Sequence, residues 1–323
     1  LQAMTITPEG VRQDDVGAGV DELLMETDDA LRVIGDPELR RLTRLETNLE
    51  IVGAGGTVSE KGPTEREEVL QARSHDANAS PSRFRRSRLV ADAASRPVVV
   101  AGSVGPTGEL FEPLGALTHD EAVDAFAEQI EGLKEGGADV AWIETMSAPE
   151  EMRAAAEAAI RVGMPYVCTM SFDTAGRTMM GLAPNTLAAQ FADLSVAPLA
   201  IGANCGVGAS DILVSVLEMT GAANPIVCKG NCGIPKFEGT TITYSGTPEL
   251  MAKYARLAVD AGARIIGGCC GTSPEHLRAM AESIAGYSRG QAPSVESIVA
   301  TIGPLTNKAP SADGGPSGRR RRG

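Results

Sequence analysis

From Pro97 onward, short apolar runs rich in β-branched residues alternate with longer stretches whose apolar positions repeat at helical spacing. The runs are PVVVAGSVGP (97–106), DVAWIETM (139–146), YVCTMSF (166–172), LAIGANC (199–205), PIVCKGN (225–231) and RIIGGCC (264–270). Between them, THDEAVDAFAEQIEGLKEGG (118–137) and TPELMAKYARLAVDAGA (247–263) carry the period of amphipathic helices. Thr118 and Thr247 stand at N-cap positions, and Glu121 completes a capping box with Thr118. Gly136 and Gly262 close the two helices as residues free to take positive φ. Continuous apolar strands alternating with helices predict a parallel sheet buried on both faces. Six βα units fit between residues 97 and 287. The expected fold is therefore α/β, a (β/α)8 TIM-type barrel whose first two units lie upstream in incomplete or irregular form. A six-stranded doubly wound sheet is the alternative, but the first strand-to-helix loop has no GxGxxG fingerprint.

Residues 1–96 follow this rhythm poorly. NLEIVGAGGTV (48–58) reads as one strand with its loop, and DPELRRLTRLE (36–46) as a short helix before it. QARSHDANASPSRFRRSR (71–88) and NKAPSADGGPSGRRRRG (307–323) have too few apolar positions to offset the entropy of ordering, and are expected to be mobile. The expected organisation is an atypical segment over 1–96, barrel units over 97–287, and a disordered polar, basic tail over 288–323.

Composition narrows the function. A length of 323 residues suits one large domain or two small ones. A formal charge of −13 repels phosphate and argues against a nucleic-acid partner. No window approaches the roughly 18 apolar residues of a membrane helix. LQAMTITPEGVRQDDVG lacks a basic stretch followed by an apolar core, so no secretory signal is expected. Six cysteines in that setting fit a reducing, cytoplasmic enzyme and thiol or metal chemistry better than a disulfide framework.

In either architecture functional residues gather at the C-terminal ends of strands. That rule selects Ser103, Glu144, Ser171, Asn204, Cys205, Asn231, Cys269 and Cys270. The adjacent Cys269 and Cys270 are the unusual feature. A vicinal disulfide would be strained, and a core role suits one cysteine better than two, because strand neighbours point to opposite faces. A metal site is the third reading. Cys205 ends one strand and the pair ends another, so in a barrel the three sulfurs converge at one rim, leaving the fourth position of a tetrahedral zinc open for chemistry. Spacing alone leaves that reading level with a purely structural role. Cys228 reads as core, while Cys232 lies near the site with its role open. Glu144 follows the buried run VAWI and needs a partner, either a substrate ammonium group or a salt bridge. His276 reads as a capping or packing residue, and Trp142, on the same strand face as Glu144, as barrel filling rather than a cation-binding wall.

The stretches VAGSVGPTGE, WIETMSAPEE, SFDTAGRTMMG, GANCGVG, KGNCGIP and GGCCGTSPEHLRAM resemble the homocysteine S-methyltransferase family over residues 97–287. That family includes betaine–homocysteine methyltransferases and the homocysteine-binding domain of cobalamin-dependent methionine synthase. The resemblance implies a (β/α)8 barrel in which Cys205, Cys269 and Cys270 bind catalytic zinc, with Glu144, Asn204 and Asn231 binding substrate. The implied partners are homocysteine and a small methyl donor. No cobalamin- or folate-domain pattern follows residue 287, and VAGSVGPTGE and TMSFDTAGRTMMG look closest to bacterial betaine-dependent members, so betaine is the expected donor. The family's DGAMGT-like and TNTFG-like loops do not appear in residues 1–96, where GDPELRRLTRLETN (35–48) and HDAN (75–78) echo it only faintly. A shifted reading frame or a decayed gene would explain this. The alternative function is accordingly a non-catalytic zinc-binding or degenerate barrel remnant.

Overall fold

The computed structural model describes residues 4–6, 31–33, 49–54, 98–238 and 241–306. Its strands are β1 (Met4–Ile6), β2 (Leu31–Val33), β3 (Leu49–Ala54), β4 (Val98–Val104), β5 (Val140–Met146) and β6 (Tyr166–Met170). They continue with β7 (Ile201–Cys205), β8 (Ile226–Gly230), β9 (Pro235–Glu238), β10 (Thr241–Tyr244) and β11 (Ile265–Gly268). The described helices are α1 (His119–Glu135), α2 (Pro149–Val162), α3 (Ala209–Glu218), α4 (Pro248–Asp260), α5 (Pro274–Ile284) and α6 (Val295–Ile302). Every apolar run from residue 97 onward is a strand. Between β6 and β7 the described chain makes two short 3-10 turns, Pro184–Thr186 and Ala188–Phe191, in place of an α-helix. A separate hairpin, β9–β10, interrupts the passage from β8 to α4.

The main sheet runs β2-β3-β4-β5-β6-β7-β8-β11-β1. All strands from β3 to β11 in that order are parallel, whereas β2 and β1 pair antiparallel at its two edges. The sheet curls until β1 and β2 approach within 8 Å between Cα atoms, but no hydrogen-bonded register joins them among the described residues. The architecture is thus a curled α/β sheet of TIM-like form. Upstream of β4, the parallel part of the sheet has one described strand, β3, where two incomplete or irregular units were expected.

Local chemistry explains the helices. Thr118 accepts from the Glu121 amide at 3.3 Å while the Glu121 carboxylate accepts from the Thr118 amide at 2.9 Å, closing the capping box of α1. Ala122, Phe126, Ile130 and Leu133 then form its buried face. Its end differs in detail from expectation: Gly136 is right-handed at φ −72°, and Gly137 takes the left-handed turn at φ 92°. Helix α6 lies within the stretch expected to be a disordered tail. Ser294 caps it, accepting from the Ser297 amide at 3.2 Å, and Ile298 and Ile302 are buried. VESIVATI has apolar residues at helical spacing, which the polar composition of the residues after 306 masks when the tail is read as one unit. Residues 71–88 and 307–323 lie outside the described residues. No described helix is long and apolar enough to cross a membrane.

Pleating places the site. Val99, Ala101, Val140, Trp142, Val167, Ala200, Val227 and Ile265 form one apolar cluster inside the curl of the sheet. Side chains alternate along a strand, so two residues further on the same faces carry Ser103, Glu144, Thr169, Lys229 and, beyond them, Asn231, Asn204 and Cys269. An apolar plug thus floors a polar layer at the C-terminal ends of the strands. A larger core packs the outer face of the sheet against the helices.

Candidate metal centre and active site

The thiols of Cys205, Cys269 and Cys270 lie within 4.8 Å of one another, and Cys205 Sγ is 3.8 Å from Cys270 Sγ. Zinc–sulfur bonds of about 2.3 Å in a tetrahedron set sulfurs about 3.8 Å apart, so this donor set fits the metal in type and spacing. Cys269 is buried and Cys270 exposed, leaving the cluster reachable from the rim.

Simple pleating would turn Cys205 away from its inward neighbour Asn204. Instead Cys205 is left-handed at φ 60°, and Gly206 follows at φ 72°. That break swings the Cys205 sulfur back towards Cys270. On the other side the chain leaves β11 before Cys269, whose amide donates to Gly230 O at 2.8 Å, and turns at Gly271, φ 78°. A Cβ at Gly271 would overlap the ring of Tyr244, so only glycine fits there. This is how two adjacent cysteines reach one point.

Two amides tie the loops together. Asn231 accepts from the Cys270 amide at 3.1 Å and donates to Gly206 O at 2.8 Å, bridging the two cysteine loops. Asn204 accepts from the Thr145 amide at 2.8 Å and from the Thr169 hydroxyl at 2.7 Å, and donates to Thr145 Oγ1 at 2.8 Å. Its Nδ2 also lies 3.8 Å from Cys269 Sγ. Thr145 is thereby held at φ 63°, a costly conformation for a β-branched residue and of the kind that collects at functional sites.

Glu144 is ion-paired. Its Oε2 accepts from Lys229 Nζ at 2.7 Å, and its Oε1 from Ser103 Oγ at 2.6 Å. Lys229 also lies 5.2 Å from the centroid of the Trp142 ring, so Trp142 fills the barrel and faces a cation as well. Ser171, the other strand-end serine, makes a long bond to Asp173 at 3.4 Å. Glu151, at the start of α2, accepts from the Thr107 amide at 2.7 Å and pins the loop after β4.

The thiols repel one another's ionisation. Cys270 is held well below the usual thiol range, because its thiolate accepts hydrogen bonds from Cys205 and Cys269. Cys205 is pushed far up by the hydrogen bonds it shares with Cys269 and Cys270, and by burial. One negative charge is stable here, whereas three call for a cation. Cys232 stands outside the cluster: it is buried against Gly246, and burial pushes its thiol up to about 11. Cys228 is core, with its thiol 3.1 Å from Tyr254 Oη. His276 completes a capping box with Ser273, its Nδ1 lying 2.7 Å from Ser273 Oγ.

Chain alternation alone did not reveal Tyr244, Thr145 or Lys229. Tyr244 packs over Gly271 beside Cys270, and burial and then the charge of Cys270 push its phenol up to about 12. Lys229 did leave a signal, as a charged residue inside the apolar run PIVCKGN.

The model of the family described as homocysteine S-methyltransferase matches residues 61–284, well over half of the chain. The chain belongs to the homocysteine S-methyltransferase family. Among solved structures, the apo form of the homocysteine methyltransferase MmuM from Escherichia coli shares 18% identity, covering 82% of this chain and 84% of that one at a TM-score of 0.54. Its metallated form shares 24% identity over 66% of this chain and 74% of that one, at a TM-score of 0.48. The first match shows a common fold, and the homocysteine S-methyltransferase assignment itself rests on the family model.

Proposed function

We propose that the protein transfers a methyl group to homocysteine, giving methionine, at a zinc ion held by Cys205, Cys269 and Cys270, with betaine as donor. The observation that carries this reading is the three-thiol cluster at the strand ends, open on the side of Cys270. Zinc bound there would hold the substrate sulfur as a nucleophilic thiolate.

The chain's own residues do the rest. Asn231 and the left-handed Cys205 keep the three sulfurs in one place. Glu144 receives the α-ammonium group of homocysteine, and the polar layer around it orients the amino acid, which removes much of the entropic part of the barrier. Tyr244 offers an aromatic face beside the cluster, suited to a quaternary ammonium by cation–π attraction. The electron pair of the thiolate forms the new S–C bond, the C–N pair stays with nitrogen, and dimethylglycine leaves. A fully closed eight-stranded barrel over residues 97–287 and the segment before them, and a cytoplasmic location, belong to the same reading.

Metal analysis should find about one zinc per chain, as one such site would hold, and a Cys269→Ala, Cys270→Ala double variant should lose it. Methionine formation is then measured with betaine, S-methylmethionine, S-adenosylmethionine and a methylcobalamin carrier supplied separately. Turnover with a sulfonium donor but not betaine would replace the donor. Zinc-loaded, folded protein that is silent with every donor would favour the non-catalytic remnant.

A further inference from the structure

Lys229 is a cation in an unusual place. It is 2% exposed, set by register opposite Asn204 on β7 and Gly267 on β11. Its neighbours along the inward face are Val227, in the apolar plug, and Asn231, which ties the cysteine loops. The Glu144–Lys229 pair therefore lies at the boundary between the plug and the thiol layer, joining β5 to β8 across the inside of the sheet. Desolvating two charges offsets most of what they gain from each other, so stability alone gives little reason for such a pair. A pair of well-packed apolar residues would serve the fold as well.

The reason lies in what Glu144 needs. A carboxylate free to rotate presents its lone pairs in no fixed direction, and a buried one needs donors on its oxygens. Ser103 holds one oxygen at 2.6 Å and Lys229 the other at 2.7 Å. An ionised carboxylate offers about four lone-pair sites, so acceptor capacity remains for a ligand, in a direction these two donors fix. The Trp142 ring, 5.2 Å from Nζ, holds the lysine head in place.

We propose that Lys229 is a positioning residue for substrate choice: with Ser103 it holds the Glu144 carboxylate aimed, so that the site selects thiols bearing an ammonium group. This rests on the reading of Glu144 as the ammonium acceptor and adds the residue that makes Glu144 competent. Lys229 acts through Glu144 and touches no substrate atom.

The test uses the full chain loaded with cobalt(II), whose thiolate-to-metal absorption reports thiol binding without turnover. Two ligands are titrated: L-homocysteine, and 4-mercaptobutyrate, which lacks the amine. Wild type should prefer homocysteine. Lys229→Met should weaken homocysteine by about tenfold or more, the loss of one charged hydrogen bond, and leave 4-mercaptobutyrate nearly unchanged. Lys229→Arg should restore much of the preference. The double variant Glu144→Gln, Lys229→Met leaves no unpaired buried charge, so it folds without that strain and should show no preference either. An equal loss for both thiols in Lys229→Met would make the lysine merely structural and overturn the proposal. Unchanged or tighter homocysteine binding would also overturn it, by showing that Lys229 competes with the substrate for Glu144. If neither thiol perturbs the wild-type spectrum, the metal–thiol reading itself falls, and this inference with it.

Discussion

Asn204→Ala probes the link between backbone strain and the thiol cluster. The side chain is 1% exposed, and its loss removes the acceptor for the Thr145 amide and the Thr169 hydroxyl, and the donor to Thr145 Oγ1. Thr169 has a fallback, since its hydroxyl lies 3.5 Å from Ile143 O. The Thr145 amide has no such alternative among the described hydrogen bonds. An orphaned, partly buried amide costs about 1–3 kcal/mol, and each of the other two bonds contributes about 1 kcal/mol net. Thr145 can then relax from its left-handed conformation, which returns about 1–2 kcal/mol. The balance is a destabilisation of about 1–4 kcal/mol, the sum of these figures. Denaturant unfolding should show it as a lower midpoint at unchanged slope. In a Thr145→Gly background the same substitution should cost less, because glycine carries little left-handed strain and has no hydroxyl to orphan. A double-mutant cycle measures that coupling. A loss below about 0.5 kcal/mol, the ordinary scatter of surface substitutions, would refute the claim that Asn204 holds Thr145 in place.

Glu144→Gln should weaken homocysteine binding by about 1.5–3 kcal/mol, the scale of a charged hydrogen bond, with zinc content unchanged; calorimetric titration checks both. In metal-free protein, Cys270 should be alkylated first and at a rate nearly independent of pH through neutrality, because its lowered pKa keeps it a thiolate there. Cys232, buried and raised to about 11, should react only as the pH climbs towards that value, and peptide mapping separates the two. Gly271→Ala should destabilise the protein by about 1 kcal/mol or more, since alanine there takes a positive φ and meets the Tyr244 ring; zinc affinity, measured by chelator competition, should fall with it.

The strands from residue 97 onward were legible because each is a continuous apolar run, and the three cysteines because strand-end position follows directly from those runs. What alternation cannot say is which inward residues meet across the curl. Glu144 and Lys229 are 85 positions apart, and only the sheet order brings them together. Nor does periodicity reveal a broken pleat: the left-handed Thr145 and Cys205 read as ordinary strand residues until their backbone is seen. Tyr244 was hidden for a different reason. It reaches Cys270 from a hairpin inserted into a βα unit, where nothing in the strand–helix rhythm points to the site. Helix α6 is legible in the apolar spacing of VESIVATI once that stretch is read apart from the polar residues after 306.

The three sulfurs come from loops at the ends of β7 and β11, with β8 between them. A metal bound there would rivet three neighbouring strands that otherwise share backbone hydrogen bonds, packing and the Asn231 bridge. Opening at either strand junction would pull the ligands apart, so metal affinity and the integrity of this part of the sheet are the same free energy seen from two sides. Stability would rise with free metal as RT ln(1 + [M]/Kd). Chelation would then loosen the sheet beside β8 before it touched the helices outside, and the rate of metal release would serve as a gauge of how often these strands part.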